Sequence, residues 1–443
     1  MSRLIMPRRP GLSRRKFLGT SAAAGGAAAA GLYAPAVHAQ ERTVKIGYVT
    51  PQSGPLAGFA EADNFTIQQL QEVFAGGIDV NGTRYNIEVI VADSQSNPNR
   101  AAEVALDLIV DEEVDLMVVA STPDTTNPVS TQCEIEEQPC ISTMAPWDAW
   151  YVGRQANPGD PSTWEQFDWT YHFFWGGADY YGVTLNMWGQ LEHGNTVGAL
   201  WPNDADGNAF ADPNAGFPPV LAANGYELVD PGRFPNGTDS FASQIATFQN
   251  ANIDVITGLM IPPDFTTYWT QSIQQGYKPK ICTMGRAILF PSAVEALGDT
   301  GHNLSCEVWW SPSHPFTSSI TGQSASELAS AFEQSTGRPW TQPIGYIHAL
   351  FEVALDVIAR AEDPNDRDSM VASIAATNTE TIIGPVSWNG EGLPPFAQKN
   401  VSPAPLVGGQ WRLKEDGSGY DIVIVDNQSY PDIPTGGQME PIV

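Results

Sequence analysis

Short apolar strands alternate with amphipathic helices along this chain, and the whole alternation occurs twice. The buried-type strand 116–120 follows a helical segment at 100–110. After an interval at 157–175 that is rich in proline and tryptophan, the order begins again with the strand 197–201. Strands that alternate with helices form right-handed βαβ units and a mostly parallel sheet. The sequence therefore predicts an α/β protein, with a β-rich tail from residue 386.

The length of the chain bears on the number of domains. A chain of 443 residues exceeds what one hydrophobic core usually organises, so two domains are expected. A single large parallel sheet would also fit the alternation. The length and the restart after residue 175 favour two lobes of similar construction.

The first forty residues have the features of an export signal. Ser13-Arg14-Arg15-Lys16-Phe17-Leu18 is a twin-arginine motif, and a small-residue apolar run at 22–31 leads to Val37-His38-Ala39. This order predicts a twin-arginine signal peptide at residues 1–39, cut before Gln40. The apolar run is shorter than the roughly 20 residues that a spanning helix needs. We therefore expect a periplasmic or other extracytoplasmic location, without direct membrane insertion.

The charge of the chain excludes two classes of partner. Its formal net charge is −29 at pH 7. Nucleic acids and anionic lipids are polyanions that basic side chains must neutralise, so neither is an expected partner.

Four cysteines remain in the exported chain, an even number in an oxidising compartment. Of the three possible pairings, the sequence distances favour the disulfides Cys133–Cys140 and Cys282–Cys306. No Cys-x-x-Cys motif is present, so the sequence suggests neither a redox pair nor a zinc knuckle.

Polar residues follow many of the predicted strands. In open parallel sheets, ligands bind beyond the carboxyl ends of the strands, where hydroxyls and backbone amides can hold a small polar group. The segments at these ends are Ser53-Gly54, Ser121-Thr122, 144–147, 201–206, 260–264 and Gly285-Arg286.

The chain resembles the leucine/isoleucine/valine-binding, or type I, periplasmic solute receptors of ABC transporters from about Val44 to its end. The motifs that carry the resemblance keep the family's order and spacing. They are Lys45-Ile46-Gly47, Ser53-Gly54-Pro55-Leu56-Ala57, Asp93, Asn99-Arg100-Ala101-Ala102, Thr126-Asn127-Pro128-Val129-Ser130, Asp239-Ser240-Phe241, Asn252-Ile253-Asp254 and Ile383-Gly384-Pro385-Val386-Ser387-Trp388.

The resemblance implies two doubly wound parallel-sheet lobes joined by a three-crossing hinge, with crossings near Trp175, Gly285 and Asn400. Lobe 1 is then expected to comprise residues 40–175 and 286–400, and lobe 2 residues 176–285 and 401–443. It also implies a monomer that passes a small molecule to an ABC permease, with no cofactor.

Three prolines depart from the family pattern at the expected ligand site. Relatives that bind α-amino acids hold the carboxylate and the ammonium near the positions of Pro123, Pro146 and Pro263, and proline has neither an N–H nor a polar side chain. Asp264 could replace the missing acid, and Ser121 and Thr122 the missing hydroxyls. An α-amino acid therefore remains possible as the ligand.

Aromatic side chains are numerous at the expected cleft. Phe59, Trp147, Trp175 and Trp309 fall at or near cleft-facing loops, as does Trp310. The rings could hold an aromatic or branched apolar ligand, or form a cage for a quaternary ammonium. The alternative is that they pack in the core and between the lobes.

Three polar residues complete the predicted site. Arg286 follows a strand end and could bind a ligand carboxylate, or form a salt bridge in an acidic protein. Asp206 is expected to face the cleft, and Tyr346, at the start of a helix, to contact the ligand or pack.

The chemistry of an enzyme is absent from the sequence. The histidines have no metal-ligand spacing, the segment 203–208 lacks the acidic twelfth position of a calcium loop, and no Gly-x-Ser-x-Gly or P-loop is present. The leading hypothesis is a transport receptor rather than an enzyme. A ligand sensor for a signalling partner and, less favoured, a secreted hydrolase are the alternatives.

Overall fold

The computed structural model describes residues 42–443, which form one compact unit. The predicted signal peptide lies outside the described residues. The strands are, in chain order, β1 (Arg42–Thr50), β2 (Ile78–Val80), β3 (Thr83–Asp93), β4 (Leu116–Ala120), β5 (Cys140–Thr143), β6 (Thr170–Phe173), β7 (Thr196–Leu200), β8 (Glu227–Val229), β9 (Val255–Leu259), β10 (Ile281–Gly285), β11 (Ser305–Val308), β12 (Asn378–Thr381), β13 (Gly384–Ser387), β14 (Val401–Ser402), β15 (Val407–Leu413) and β16 (Tyr420–Asp426).

The helices carry the connections between these strands. They are α1 (Asp63–Gln69), α2 (Gln71–Gly76), α3 (Pro98–Val110), α4 (Pro123–Ile135), α5 (Trp147–Val152), α6 (Gly177–Trp188), α7 (Ala205–Phe210), α8 (Phe217–Ala223), α9 (Ala242–Asn250), α10 (Pro262–Gln274), α11 (Pro291–Glu295), α12 (Ala325–Thr336), α13 (Pro343–Arg360) and α14 (Arg367–Ala375).

The strands form two seven-stranded sheets, which confirms the predicted pair of doubly wound lobes. The first has the order β14-β6-β5-β4-β1-β3-β2, and its strands are parallel except for β2. The second has the order β16-β15-β11-β10-β9-β7-β8 and is parallel from β11 to β8. The parallel strands place their carboxyl ends at one edge of each sheet.

Sheet membership divides the chain differently from the predicted lobe boundaries. Because β11 lies beside β10, the chain stays with the second sheet past Arg286, as far as Val308. Because β14 lies beside β6, the last crossing follows Ser402. The sequence did not indicate β11 as a strand, since its four residues include a serine and a glutamate. We therefore propose that lobe 1 comprises residues 42–175 and 309–402, and lobe 2 residues 176–308 and 403–443.

Local sequence accounts for several element boundaries. Asn81 and Gly82 both have positive φ, 51° and 80°, and form the tight turn between β2 and β3 that the dipeptide predicts. The helical segment that follows β1 is divided at Leu70 into α1 and α2. Helix α13 is buried over most of its length and packs against β2, β4 and β5, in keeping with its almost continuous apolar sequence.

Within residues 42–443, no helix has the length and apolar character that a membrane crossing requires.

The four cysteines are buried free thiols in the described chain, whereas the sequence led us to expect two disulfides. Cys133 and Cys140 contact each other, and Cys282 and Cys306 lie in the neighbouring strands β10 and β11. Burial raises the pKa of Cys133, Cys282 and Cys306, which keeps these thiols neutral and unreactive. Cys133 and Cys140 are thus neighbours, Cys282 and Cys306 lie in adjacent strands, and the disulfides themselves remain a prediction.

A buried carboxyl beside β1 gives a testable pH dependence of stability. Asp63 accepts hydrogen bonds from the hydroxyls of Tyr48 (2.8 Å) and Thr50 (2.7 Å), and burial raises its pKa to about 7 from an ordinary value of 3.8. The stabilising effect of the neutral acid is fully present below the unfolded pKa and is lost as the pH rises through the folded pKa.

We expect the free energy of unfolding to fall between about pH 4 and pH 7, and Asp63→Asn to make that fall shallower, by about 1.4 kcal/mol per unit of pKa difference. Urea unfolding of both proteins at several pH values measures the two slopes. Equal slopes in the two proteins would contradict this assignment.

Candidate functional site

A small cavity lies between the two lobes, at the carboxyl ends of their strands. The empty space within it and at its open mouth amounts to about 280 Å³. Residues of both lobes line it: Phe59, Thr122, Met144, Pro146, Phe174, Trp175, Asp206, Leu259, Arg286, Glu307 and Trp309.

Strand ends position this lining. Met144 follows β5, and Arg286 follows β10, each with a positive φ (67° and 66°). Non-glycine residues in this left-handed region are strained by about 1–3 kcal/mol and cluster at functional sites. Thr122 precedes the first turn of α4, and Phe174 and Trp175 follow β6 at the first crossing between the sheets.

Trp309 is the centre of an aromatic cluster in the cavity wall. Its ring lies 6.1 Å from that of Phe59 in a stacked arrangement, 5.0 Å from Phe174 edge to face, and 6.3 Å from Trp175. Tyr346 packs edge to face behind Trp309 and Phe174, at 6.1 and 4.9 Å. These contacts fix the rings as rigid apolar walls.

The opposite wall is charged and centres on Arg286, whose side chain is only 5 % exposed. Its guanidinium donates to Asp204 at 2.7 Å and to Asp206 at 2.9 Å, and its backbone N–H donates to Glu307 at 2.9 Å. Asp204 also accepts from the backbone N–H of Gly207 at the start of α7. Arg286 is therefore already neutralised by carboxylates, as in the predicted salt bridge, rather than free for a ligand carboxylate.

Burial governs the protonation of these acids. It raises the pKa of Asp206 to about 7, although the Arg286 charge opposes the rise, and that of Glu307 to about 8. Burial also disfavours the Asp204 carboxylate, but its ion pair with Arg286 and its hydrogen bonds lower its pKa overall. The Asp124 carboxyl, in the first turn of α4, has a raised pKa because of burial.

Several buried polar atoms of the lining have no hydrogen-bond partner among the described residues. They are Thr122 Oγ1, Trp175 Nε1, Asp206 Oδ1, Glu307 Oε2 and Trp309 Nε1. The Trp309 indole lies close enough to the Glu307 carboxyl to oppose part of the rise in the pKa of Glu307. Even so, neither Trp309 Nε1 nor Glu307 Oε2 makes a hydrogen bond of normal geometry. Buried polar groups are almost always satisfied, so unpartnered ones at a cavity mark where a ligand's polar atoms bind.

The lobes touch each other around the cavity. The ring of Phe59 packs edge to face on Phe290 of the second lobe at 5.3 Å, and the Ala205 N–H donates to Asp124 at 3.3 Å. The structure thus has the cleft closed.

The cavity lining includes six of the ten residues that the sequence suggested as ligand contacts: Phe59, Thr122, Trp175, Asp206, Arg286 and Trp309. The other four lie elsewhere. The hydroxyl of Ser121 accepts from Thr125, and Asp264 accepts from the backbone N–H of Gly237. Tyr346 lies behind the aromatic wall, and Trp147 packs on Gly176 at the first crossing, where a Cβ would lie 2.2 Å from its indole nitrogen. The ligand roles of these residues remain untested predictions.

Sequence reasoning missed Glu307, Asp204, Phe174 and Leu259. A usable signal existed for Glu307, because it is the acid within the otherwise apolar segment Leu304-Ser305-Cys306-Glu307-Val308-Trp309-Trp310. Asp204 had been assigned only to a strand-to-helix loop. Trp310 belongs to the core of the first lobe, where it packs on Trp340 and donates to Ile382.

Solved structures share this fold. The leucine-binding protein LivK from Thermotoga maritima is 17% identical, with a TM-score of 0.70 over 87% of this chain and 99% of that chain. The isoleucine complex of LivJ from Streptococcus pneumoniae is 16% identical, with a TM-score of 0.65 over 86% and 100%. A solute-binding protein of an ABC transporter from Rhodopseudomonas palustris, bound to 3,4-dihydroxybenzoic acid, is 17% identical, with a TM-score of 0.66 over 86% and 96%.

A match to a family model shows the family of the chain in addition to its fold. The model described as periplasmic binding protein matches residues 43–397, which is most of the chain. The chain therefore belongs to the periplasmic binding protein family.

Proposed function

We propose that this protein is an extracytoplasmic receptor that closes its two lobes over a small organic molecule and delivers it to an ABC importer. The observation that carries the proposal is the interlobe cavity, with an aromatic wall from one lobe and a charged wall from the other. Closing two lobes on a ligand hides it from solvent and creates a surface that a permease can recognise.

The family consists of solute-binding receptors rather than enzymes. Its solved members include proteins bound to isoleucine and to 3,4-dihydroxybenzoic acid, which supports a small organic ligand here. A ligand carboxylate is less well supported, because Arg286 is already paired with Asp204 and Asp206.

A thermal-shift screen of the purified protein tests the proposal. Amino acids, aromatic acids, small amines and small amides form the panel. A compound at 100 times its dissociation constant stabilises the native state by about 2.7 kcal/mol. We expect at least one compound to raise the melting temperature and to be recovered chemically unchanged. Conversion of the compound would contradict the receptor proposal, as would the absence of any stabilising compound at millimolar concentration.

Delivery is tested in cells of the source organism. Deletion of the gene should abolish uptake of the labelled ligand, and restoring the gene should return it. Undiminished uptake in the deletion strain would contradict a role in import.

A further inference from the structure

We propose that the ligand is a small organic cation with N–H donors, an amine or amidine, held by Asp206 and Glu307 inside the aromatic wall. This inference rests on the proposed function, since it names the ligand class of the same cavity. The polar groups and aromatic rings that line the cavity determine which ligand can bind there.

Carboxyl groups outnumber basic groups at the cavity. Arg286 is the one basic residue among the described lining residues, whereas Asp206 and Glu307 line the cavity and Asp204 lies directly behind Arg286. Asp124 adds a fourth buried carboxyl at the lobe contact. A ligand with a positive charge compensates this excess, and one with a negative charge adds to it.

Each of the two lining carboxyls has one oxygen available. Asp206 uses Oδ2 for the Arg286 guanidinium, and Glu307 uses Oε1 for the Arg286 backbone N–H. The second oxygens, Asp206 Oδ1 and Glu307 Oε2, are buried acceptors that make no hydrogen bond of normal geometry in the described chain, and the Trp309 indole lies beside the Glu307 carboxyl. The side chains are fixed by Arg286, so these acceptors are already in place for N–H donors.

The aromatic wall suits the remainder of such a cation. Phe59, Phe174, Trp175 and Trp309 line the same cavity, and ring faces attract organic cations electrostatically. A metal ion is a poorer match, because residues 42–443 contain no group of three potential ligand side chains placed to hold one. A quaternary ammonium is also a poorer match, because it has no N–H for the two acceptors.

Four probes of similar shape separate charge from hydrogen bonding. They are isobutylammonium, tetramethylammonium, isobutyramide and isobutyrate. We expect isobutylammonium to bind at least about tenfold more tightly than isobutyramide, and isobutyrate not to bind, because hydrogen bonds to charged partners are the stronger ones. Calorimetric titration of the full chain measures all four.

Two isosteric substitutions test the named acceptors. Glu307→Gln and Asp206→Asn can each keep the contact to Arg286 while replacing an acceptor oxygen by an NH₂ donor. We expect the affinity for isobutylammonium to fall about tenfold to a hundredfold in each variant. Glu352→Gln is the matched control, since Glu352 is equally buried but lies in lobe 1, where it accepts from Ser319 and Ile382. Its affinity should not change.

The pH dependence of the cation affinity distinguishes direct binding by Asp206 and Glu307 from a purely structural role of these residues. A cation is favoured when Asp206 and Glu307 are ionised, so its affinity should rise from about pH 6 to pH 9, while an alkylamine remains protonated. Arg286 stays charged, and its neighbour Asp204 is already ionised in this range, so neither alters the sign. Asp124 would add to the rise in the same direction.

The outcomes distinguish the two proposals. Tighter binding of isobutyrate or isobutyramide than of isobutylammonium overturns the cation inference and leaves the receptor proposal intact. Unchanged cation affinity in both Glu307→Gln and Asp206→Asn also overturns it. If a compound of the wider panel stabilises the protein but isobutylammonium does not bind, the cation inference fails alone. If nothing binds, both fail.

Discussion

Replacing Arg286 by methionine should destabilise the protein by roughly 3–5 kcal/mol, the typical cost of leaving buried charges without their partner. Methionine matches the length of the side chain but removes the charge and the donors that hold Asp204 and Asp206. Both carboxyls are buried, and Glu307 adds a third acid on the same side. The residue also has positive φ, so its backbone strain persists while the interactions that compensate it are lost.

The loss of stability in Arg286→Met should depend on pH in a definite direction. In Arg286→Met, protonation of Asp204 and Asp206 removes the unpaired buried charges, and protonation is easier at low pH. The loss of stability should therefore be smaller at pH 5 than at pH 8. Urea unfolding at both pH values measures it. Arg338→Met is the control, because Arg338 pairs with Glu61 at the surface and should contribute only about 0–1 kcal/mol. A loss as small as that of the control would contradict the role assigned to Arg286.

Replacing Trp309 by alanine should weaken ligand binding by at least about 2 kcal/mol, a hot-spot effect of roughly thirtyfold. The indole touches Phe59, Phe174, Trp175 and Tyr346, so its removal takes away one face of the cavity and the support of the other rings. The same substitution should lower the free energy of unfolding by about 3–5 kcal/mol.

The adjacent residue provides a control for this prediction. Trp310 is also fully buried, but it packs on Trp340 in the core of lobe 1 and does not line the cavity. If the alanine variants at Trp309 and Trp310 fail to fold, the milder substitutions Trp309→Phe and Trp310→Phe make the same comparison. Both should lower the melting temperature, whereas only Trp309→Phe should raise the dissociation constant. Equal effects on binding would return Trp309 to a packing role.

Local sequence information was sufficient for the α/β class, because most strand and helix patterns, and the Asn81-Gly82 turn, depend on neighbouring residues. The two lobes followed from the chain length and the restart, and their doubly wound form from the family resemblance. The same reasoning placed a ligand site at strand ends and included Phe59, Trp175 and Trp309 in it.

The charged wall could not be predicted in the same way. Arg286 lies 82 residues from Asp204 in sequence, and only the assembled second sheet brings them together. In the sequence, the position of Arg286 directly after a predicted strand is equally compatible with a ligand contact and with an internal ion pair. Asp264 is a second example, because its place beside the family's acidic position did not reveal that it accepts a hydrogen bond from the Gly237 backbone.

The lobe boundaries that we propose from the sheets differ from the predicted ones for a related reason. β11 is short and includes Glu307, so its pairing with β10 depends on tertiary contacts that overcome weak local preference. Glu307, the acid that hid this strand from the sequence pattern, is also one of the carboxyl groups that line the cavity.

A crystal structure of the protein with a compound that stabilises it in the thermal-shift screen is the most direct test of this account. We expect the compound to lie between the lobes, against Trp175 and Trp309, with a nitrogen within hydrogen-bond distance of Asp206 Oδ1 or Glu307 Oε2. A compound bound outside this cavity, or bound in it through a carboxylate on Arg286 with Asp204 and Asp206 displaced, would contradict it.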